Sequence, residues 1–377
     1  MRVGISTSVI QRGKTGVAQY VFALLKALSS QSGGHQFTLF VLDEDLPFFE
    51  FAREGMEIVR VAEQFRAPLR NILWHQRELP RLAREKRLDV LHIPSYRRML
   101  WPKPCPLVAT IHDLAPFHVS GKYDWMRMFY GRVVARRLAR RQDRIIAISE
   151  NTARDIALFF GIARQRIAVI HNGLDHERFR PGSTEEASRA IAQQHGIEKP
   201  FFLYVARLEH PGKNHVPLIA AFENFKARTG SDWQLVFGGS DWHGAEAIHA
   251  AIRNSRFARD IRCLGFVPDD KLPELYRAAE VFVYPSLFEG FGMPPIEAMA
   301  SGCPVISSTR GSLGEVVAAA AATVDPADIG SMAEQLTRMA TDPERREQLR
   351  SAGLVRAAQF DWKFTAARTL EVYELFR

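Results

Sequence analysis

Two carboxylates flank a glycine-containing turn in the second half of the chain, Glu289 before the turn and Glu297 after it. The apolar run from Val281 to Tyr284 predicts a buried strand before the turn, and two consecutive prolines after it suit the first turn of a helix. Gly290 and Gly292 let the backbone turn sharply and approach a ligand closely. A strand–turn–helix of this kind presents free N–H groups and a positive dipole end to a phosphate. Because carboxylates repel phosphates, the two acids are better suited to hydroxyl groups, and the pattern indicates a nucleotide-sugar site.

Two basic residues, Arg207 and Lys213, follow another predicted strand, 201–205, in the same half of the chain. A fork-shaped guanidinium and a mobile ammonium group suit a diphosphate. Taken alone, these two residues are typical of surface charge, Glu289 is typical of a loop charge, and Glu297 is typical of an acid that complements a helix dipole. Their combination in one predicted domain favours the functional interpretation.

The first half of the chain offers a second, weaker set of candidates. Gly16 lies between the first predicted strand and the first helix, where a Rossmann-like unit meets a phosphate. The full G-x-G-x-x-G fingerprint is absent, which argues against a nicotinamide enzyme. His112 and Asp113 end a strand, where catalytic groups often lie, although a pair that caps the loop is equally plausible. Asn172 belongs first to a turn signal, and a place in a ligand crevice is the secondary interpretation.

Alternating strand and helix patterns predict an α/β fold with two doubly wound parallel-sheet, Rossmann-like domains that face each other. The expected domains are residues 1–182 and 183–361, with a final helix, 362–377, packing back on the first domain and a linker zone at 178–198. The predicted strands are 3–6, 37–42, 57–61, 90–93, 108–111, 145–148, 168–170, 201–205, 234–237, 262–265, 281–284 and 304–307. The predicted helices are 17–28, 70–87, 124–141, 214–229, 244–256, 271–279, 295–301, 312–319 and 327–341.

Composition narrows the class of protein. The chain has 377 residues, of which 46% are hydrophobic and 24% are charged, as in ordinary globular proteins. No signal-peptide layout and no run of membrane-spanning length is evident, so we expect a cytoplasmic protein. The three cysteines are widely spaced and form no metal or redox motif, which favours buried thiols in a reducing compartment.

Charge is distributed unevenly along the chain. Residues 1–180 carry a net charge of +12 and residues 181–377 a net charge of −4, which together give the overall +8. The segment 127–144 alone holds seven arginines with apolar residues between them. Such a segment is usually a half-buried helix with a solvated face, but a basic amphipathic helix can also lie on anionic lipid. Nucleic acid is not an expected partner, because no recognition motif accompanies the charge.

The segment from Glu289 to Glu297 resembles the E-x7-E signature of the family-4 retaining glycosyltransferases, which have the two-domain GT-B fold. The loop 206–214 is similar to that family's phosphate-binding loop, and the second half of the chain matches densely. Further similarities, including looser ones in the first half, lie at Gly16, His112, Asp113, Ser149, Asn172, Gly173, 301–306, Glu315, Val316 and Trp362. The chain departs from the pattern in having Thr15 in place of the usual first glycine, and in an insertion-like stretch at 209–212.

The resemblance implies a role for each matching residue. Arg207 and Lys213 would neutralise the diphosphate and the charge that builds on it as the leaving group departs. Glu297 would accept hydrogen bonds from the ribose and Glu289 from the sugar, while His112 would contact the sugar near its reacting carbon. The implied catalytic residues are His112, Arg207, Lys213 and Glu289, and the implied substrate-binding residues are Gly16, Asp113, Asn172, Phe291, Gly292, Met293 and Glu297.

The resemblance also implies the reaction class. Family members usually need no metal and no other cofactor, and they retain the anomeric configuration, with the leaving phosphate helping to deprotonate the acceptor. The donor would be a nucleotide-diphosphate sugar, with UDP-hexose and GDP-mannose both open, and the acceptor a glycan or lipid-linked intermediate of cell-surface polysaccharide or lipopolysaccharide synthesis. The enzyme would then be cytoplasmic, at the inner face of the membrane. The alternatives are an epimerase or phosphorylase of the same fold and an inactive nucleotide-sugar-binding scaffold.

Overall fold

The computed structural model describes residues 1–13, 15–118 and 129–377. The chain forms two compact units, Met1–Gly173 together with Asp361–Arg377, and Leu174–Phe360. The boundary between them falls after Gly173, nine residues before the position expected at 182/183. The stretch 178–198 is not simply a linker, because it contains a helix of the second unit, Thr184–His195.

The described part of the first unit contains a seven-stranded sheet in which every strand is parallel to its neighbours. The strand order is β3-β2-β1-β4-β5-β6-β7. The strands are β1 (Arg2–Ser6), β2 (Gln36–Leu42), β3 (Glu57–Val61), β4 (Val90–Ile93), β5 (Leu107–Ile111), β6 (Arg144–Ala147) and β7 (Ile167–Val169). The helices are α1 (Gly16–Ser30), α2 (Pro68–Glu85), α3 (Ala135–Ala139) and α4 (Glu150–Asp155), with π-helical turns at Tyr130–Val134 and Ile156–Phe160.

The second unit contains, among its described residues, a six-stranded sheet in the order β10-β9-β8-β11-β12-β13, again parallel throughout. Its strands are β8 (Phe201–Val205), β9 (Gln234–Gly238), β10 (Ile261–Cys263), β11 (Val281–Tyr284), β12 (Val305–Ser308) and β13 (Ala322–Val324). Its helices are α5 (Thr184–His195), α6 (His215–Thr229), α7 (Ala245–Asn254), α8 (Leu272–Ala278), α9 (Met293–Ala300), α10 (Leu313–Val317), α11 (Ile329–Thr341) and α12 (Pro343–Ala357). The α/β fold with two doubly wound parallel sheets is therefore confirmed.

Each sheet reverses its strand order beside its first strand. In the first unit, β1 lies between β2 and β4, and in the second unit β8 lies between β9 and β11. In open α/β sheets, ligands bind outside the carboxyl ends of the strands at such a switch point. The loops that follow β8 and β11 are therefore the natural place for a ligand in the second unit.

The last helix, α13 (Trp362–Glu374), belongs to the core of the first unit. Asp361 caps it through a hydrogen bond from the Lys363 backbone N–H. Near its other end, the Tyr373 hydroxyl lies 2.6 Å from His92 Nδ1 on β4. His92 Nε2 is in turn 2.8 Å from the Thr110 hydroxyl on β5. The final helix is thus joined by buried hydrogen bonds to the centre of the first sheet.

The arginine-rich segment is helical from residue 129 to Ala139, because the π-helical turn runs directly into α3, so the predicted helix 124–141 is confirmed over this part. Residues 129–144 comprise the π-helical turn, α3 and the start of β6, whereas residues 127 and 128 lie outside the described ranges. Ala135, Leu138 and Ala139 face the apolar core, and Phe129 is exposed. Across the part of the chain that the structure describes, no helix is both long and apolar enough to cross a membrane.

Candidate functional site

The switch point of the second sheet brings Lys213 and Glu289 together. Lys213 lies in the loop that follows β8, and Glu289 lies in the loop that follows β11, the neighbouring strand. Lys213 Nζ donates a hydrogen bond to Glu289 Oε1 over 2.5 Å. Each of the two side chains is 16% exposed to solvent. Two residues that the sequence placed in one site, 76 positions apart, are therefore in direct contact.

Hydroxyl groups fix the orientation of the Glu289 carboxylate. Its Oε1 atom also accepts hydrogen bonds from the Ser286 hydroxyl over 2.7 Å and from the Tyr284 hydroxyl over 3.0 Å. Tyr284 is the last residue of β11 and is buried, so its ring is held by the sheet. The carboxylate is thus pre-oriented on a rigid element, which favours precise recognition of a ligand.

The Lys213–Glu289 pair is ionised. Burial raises the pKa of Glu289, but the Lys213 charge and the hydrogen bonds from Lys213, Ser286 and Tyr284 outweigh burial and lower the pKa below its usual value. Burial lowers the pKa of Lys213, but the charge of Glu289 and its hydrogen bond, together with Tyr204 and Glu209, outweigh burial and raise it. A cation for phosphate oxygens and an acceptor for hydroxyl groups are therefore both present in charged form at neutral pH.

Packing requires a glycine in the turn after Glu289, in addition to the expected close approach of a ligand. Gly292 has φ +101° and immediately precedes α9, and a Cβ there would lie 2.5 Å from Leu313 Cδ2. The Ser312 hydroxyl donates hydrogen bonds to the carbonyls of Glu289, at 3.0 Å, and Phe291, at 2.8 Å. Phe291 itself is buried and packs edge-on against Phe360. The turn is therefore rigid, and partly exposed Met293 opens the helix that follows.

Glu297 lies on α9 with a different environment from that of Glu289. The Tyr276 hydroxyl donates a hydrogen bond to Glu297 Oε2 over 2.9 Å. Burial raises the pKa of Glu297 to about 7, and the Tyr276 hydrogen bond and the Arg178 charge only partly oppose it. The two acids of the motif thus differ in charge state, with Glu297 poised to titrate near neutral pH.

This raised pKa gives a pH dependence of stability. Because the folded protein holds the Glu297 proton more tightly than the unfolded chain, the group destabilises the fold increasingly as pH rises from about 4.5 to about 7. The shift corresponds to a loss on the order of 3 kcal/mol. We expect Glu297→Gln to be more stable than the wild type at pH 8 and nearly equal to it at pH 4.5. Urea unfolding of both proteins across this range measures the difference, and parallel pH profiles would contradict the assignment.

Arg207 occupies the same loop as Lys213 but makes other contacts. Its guanidinium carbon lies 4.6 Å from the centre of the Trp242 ring, and its Nη2 atom lies 3.6 Å from Glu209 Oε2. Its side chain is 53% exposed. The structure therefore places the two residues predicted to bind the diphosphate in one loop, with Lys213 largely buried against Glu289 and Arg207 at the surface.

In the first unit, His112 and Asp113 follow β5 as expected. His112 Nε2 lies 3.1 Å from the Pro94 carbonyl, so this nitrogen carries the hydrogen and donates it. Burial lowers the pKa of His112 to about 4, which makes the ring neutral at physiological pH. Asp113 Oδ1 accepts a hydrogen bond from the Ala115 backbone N–H over 3.0 Å. Asp113 thus does cap its loop, the ordinary role weighed for this pair, whereas His112 is held in one tautomer.

Gly16 and Asn172 differ in how tightly the protein surrounds them. Gly16 begins α1 beside the cap residue Thr15, and a Cβ added at Gly16 would meet no atom of the described residues within 4 Å. Asn172 is buried, and its Oδ1 atom has no hydrogen-bond partner among the described residues. Packing against the described residues therefore does not require a glycine at position 16.

Several residues of the site escaped sequence reasoning. Tyr284, Ser286, Ser312 and Tyr276 position the two acids, yet each resembles an ordinary core or loop residue in the sequence. The proximity of Ser286 to Glu289 in the sequence is the one available signal. Considering only the residues that the structure describes, no group of three or more His, Cys, Asp or Glu side chains is arranged to hold a metal ion.

Comparison with known proteins assigns the chain to a family. The family Glycosyltransferase Family 4 matches residues 14–178, and the family Glycosyl transferases group 1 matches residues 187–355. The O-antigen chain mannosyltransferase B of Escherichia coli is 29% identical over 71% of this chain and 70% of its own length. The MMP alpha-(1->4)-mannosyltransferase of Mycolicibacterium hassiacum is 30% identical over 71% of this chain, and the match spans 65% of that protein, just under two thirds.

A solved structure has the same fold as this chain. The structure of Anabaena HepE in complex with UDP and glucose superposes with a TM-score of 0.77 over 100% of both chains, at 20% sequence identity. The two family matches together cover most of both units. The architecture that this chain shares with HepE is the GT-B fold. The chain belongs to the family-4 glycosyltransferases of the GT-B fold.

Proposed function

We propose that the chain is a retaining hexosyltransferase that takes its sugar from a nucleotide-diphosphate donor. The observation that carries this proposal is the ionised Lys213–Glu289 pair at the switch point of the second sheet. The ammonium group suits a diphosphate oxygen, and the carboxylate beside it suits the hydroxyl groups of the attached sugar. A sugar diphosphate presents these two features next to each other.

The remaining residues have roles that complement this pair. Arg207 and Lys213 neutralise the charge that builds on the departing diphosphate, a task that elsewhere falls to a metal ion, so the proposed reaction is metal-independent. Glu297 accepts from the ribose hydroxyls, and the backbone N–H groups around Phe291, Gly292 and Met293 approach the phosphate. In the first unit, His112 contacts the donor sugar, and the residues that bind substrate are Gly16, Asp113 and Asn172.

The names of the relatives narrow the choice of sugar and nucleotide base for the proposed donor. Two of them are named as mannosyltransferases, and one of these acts on O-antigen chains. HepE was crystallised with UDP and glucose. These names support a hexose donor, GDP-mannose or a UDP-hexose, and an acceptor that is a growing glycan or a lipid-linked intermediate of cell-surface polysaccharide or lipopolysaccharide synthesis.

An anionic membrane surface is part of the same proposal. Arg132, Arg136, Arg137, Arg140 and Arg141 are exposed in the described part of the segment 127–144. Attraction between these arginines and anionic lipid would place the enzyme at the inner face of the cytoplasmic membrane, next to a lipid-linked acceptor. Co-sedimentation with anionic vesicles tests this: binding at low salt that weakens at high salt supports it, and no binding at low salt overturns it.

A ligand panel tests the proposed donor. The protein is heated with UDP, GDP, UDP-glucose, UDP-galactose or GDP-mannose, and the unfolding temperature is measured. The matching nucleotide should stabilise the fold by about 2.7 kcal/mol at a hundredfold excess over Kd. No shift with any nucleotide would contradict the proposal, and a shift without sugar release or transfer would favour the inactive scaffold.

A further inference from the structure

The loop that carries Arg207 is joined along its length to the loop that follows β9. The Leu208 backbone N–H donates to the Ser240 carbonyl over 2.9 Å, and the Trp242 N–H donates back to the Leu208 carbonyl over 3.1 Å. Further along, the His210 N–H donates to the carbonyl of His243 over 3.0 Å. These reciprocal bonds form a short parallel bridge beyond the ends of β8 and β9.

The backbones of the loop after β8 and the loop after β9 are also in close contact. Gly239, with φ +147°, follows β9, and a Cβ at this position would lie 2.0 Å from the Ala206 carbonyl oxygen. Only glycine fits so close an approach. The backbone positions of Arg207 and Trp242 are therefore fixed relative to each other.

Trp242 offers its ring to Arg207. The guanidinium carbon lies 4.6 Å from the ring centre, within the range of a cation–π contact. The Glu209 carboxylate, 6% exposed, lies 3.6 Å from the same guanidinium. Trp242 itself is 56% exposed, so its ring is accessible to the solvent beside Arg207.

A half-exposed arginine without such contacts would sample many rotamers and would lose that freedom on binding a ligand. We infer that Trp242 is a positioning residue, which holds the Arg207 guanidinium ready for the donor diphosphate. The inference rests on the donor role proposed above for Arg207. Trp242 acts through Arg207 and not by contact with the reacting atoms. Because both side chains are exposed, removal of the ring should leave the fold intact.

A double-mutant cycle tests the inference, with the Kd of UDP and of GDP measured by calorimetry for each protein. Trp242→Ala should weaken binding of the preferred nucleotide about two- to fivefold, from the strength of an exposed cation–π contact. Trp242→Phe should recover most of this loss, because a ring face remains. In the Arg207→Ala background, Trp242→Ala should have almost no further effect.

The chain provides a matched control. Trp101 in the first unit is 52% exposed and lies beneath Arg141, whose guanidinium carbon is 3.6 Å from its ring centre. Trp101→Ala removes the same kind of contact away from the proposed donor residues and should leave nucleotide affinity unchanged.

The other outcomes separate the explanations. An equal loss from Trp242→Ala in both backgrounds would overturn the inference and indicate that the indole contacts the nucleotide itself. No loss from Trp242→Ala while Arg207→Ala weakens binding would also overturn it and leave the donor site standing. No loss from Arg207→Ala would instead refute the donor role of that arginine.

Discussion

Replacement of Lys213 by methionine should lower kcat/KM for sugar transfer about a hundred- to a thousandfold. This is the range measured when one preorganised group that stabilises developing charge is removed from an active site. Lys213 is fixed by Glu289 and by its loop, since the Tyr204 hydroxyl donates to the Lys213 carbonyl over 2.6 Å. Steady-state kinetics with the donor identified by the ligand panel measures the effect.

The same substitution should also destabilise the second unit, and the two effects have to be separated. Loss of one partner from a buried ion pair typically costs about 3–5 kcal/mol, because the other charge is left unpaired. The double variant Lys213→Met with Glu289→Gln removes both charges and keeps hydroxyl donors, Tyr284 and Ser286, for the new amide oxygen. We expect it to regain most of the stability and none of the activity. Recovery of activity together with stability would show that the pair is only structural.

Alanine at position 16 should weaken donor binding and turnover about a hundredfold, the effect of a displacement of about 1 Å in a reacting complex. The added methyl group meets no atom of the described residues within 4 Å, so the expected effect is on a ligand that approaches this helix terminus. The fold itself should be unchanged or slightly more stable, because alanine restricts the unfolded chain more than glycine does. Donor KM, kcat and the unfolding temperature are compared for Gly16→Ala and wild type.

Gly55 supplies the control for this substitution. It lies in the same unit, has no positive φ, and an added Cβ would make only an ordinary contact of 3.6 Å with the Ser29 hydroxyl. Gly55→Ala should therefore leave donor kinetics unchanged and, like Gly16→Ala, leave stability unchanged or slightly raised. If Gly16→Ala also retains wild-type donor kinetics, no phosphate approaches Gly16.

The architecture could be predicted from the sequence because buried parallel strands are nearly continuous apolar runs. Val281–Tyr284 and Phe201–Val205 have this character, and the loops after them hold Glu289 and Lys213. The site motif was equally visible, since it combines glycines, prolines and acids around one turn. What the sequence could not provide was the partner of each acid, because Tyr284 and Tyr276 have the composition of ordinary core residues.

The elements that the sequence analysis missed bury few large side chains. In α12 the buried residues are Leu349, Gly353 and Ala357, and in α5 they are Ala187 and Ile191. Small residues contribute little to an apolar period, so neither segment stood out from a polar linker. The three-residue strand β13 lies in an alanine-rich stretch, which has no strand character on its own.

The hydrogen bond between Tyr373 and His92 joins residues 281 positions apart, and it bears on the order in which the chain can fold during synthesis. The sheet of the first unit leaves the ribosome early, but α13 follows only after all of residues 174–360. At about 5–20 residues per second this delay is roughly 10–40 s. During that interval the second unit is being synthesised, while His92 and the surface meant for the last helix still lack their cover. The first unit to be translated is therefore the last to be finished.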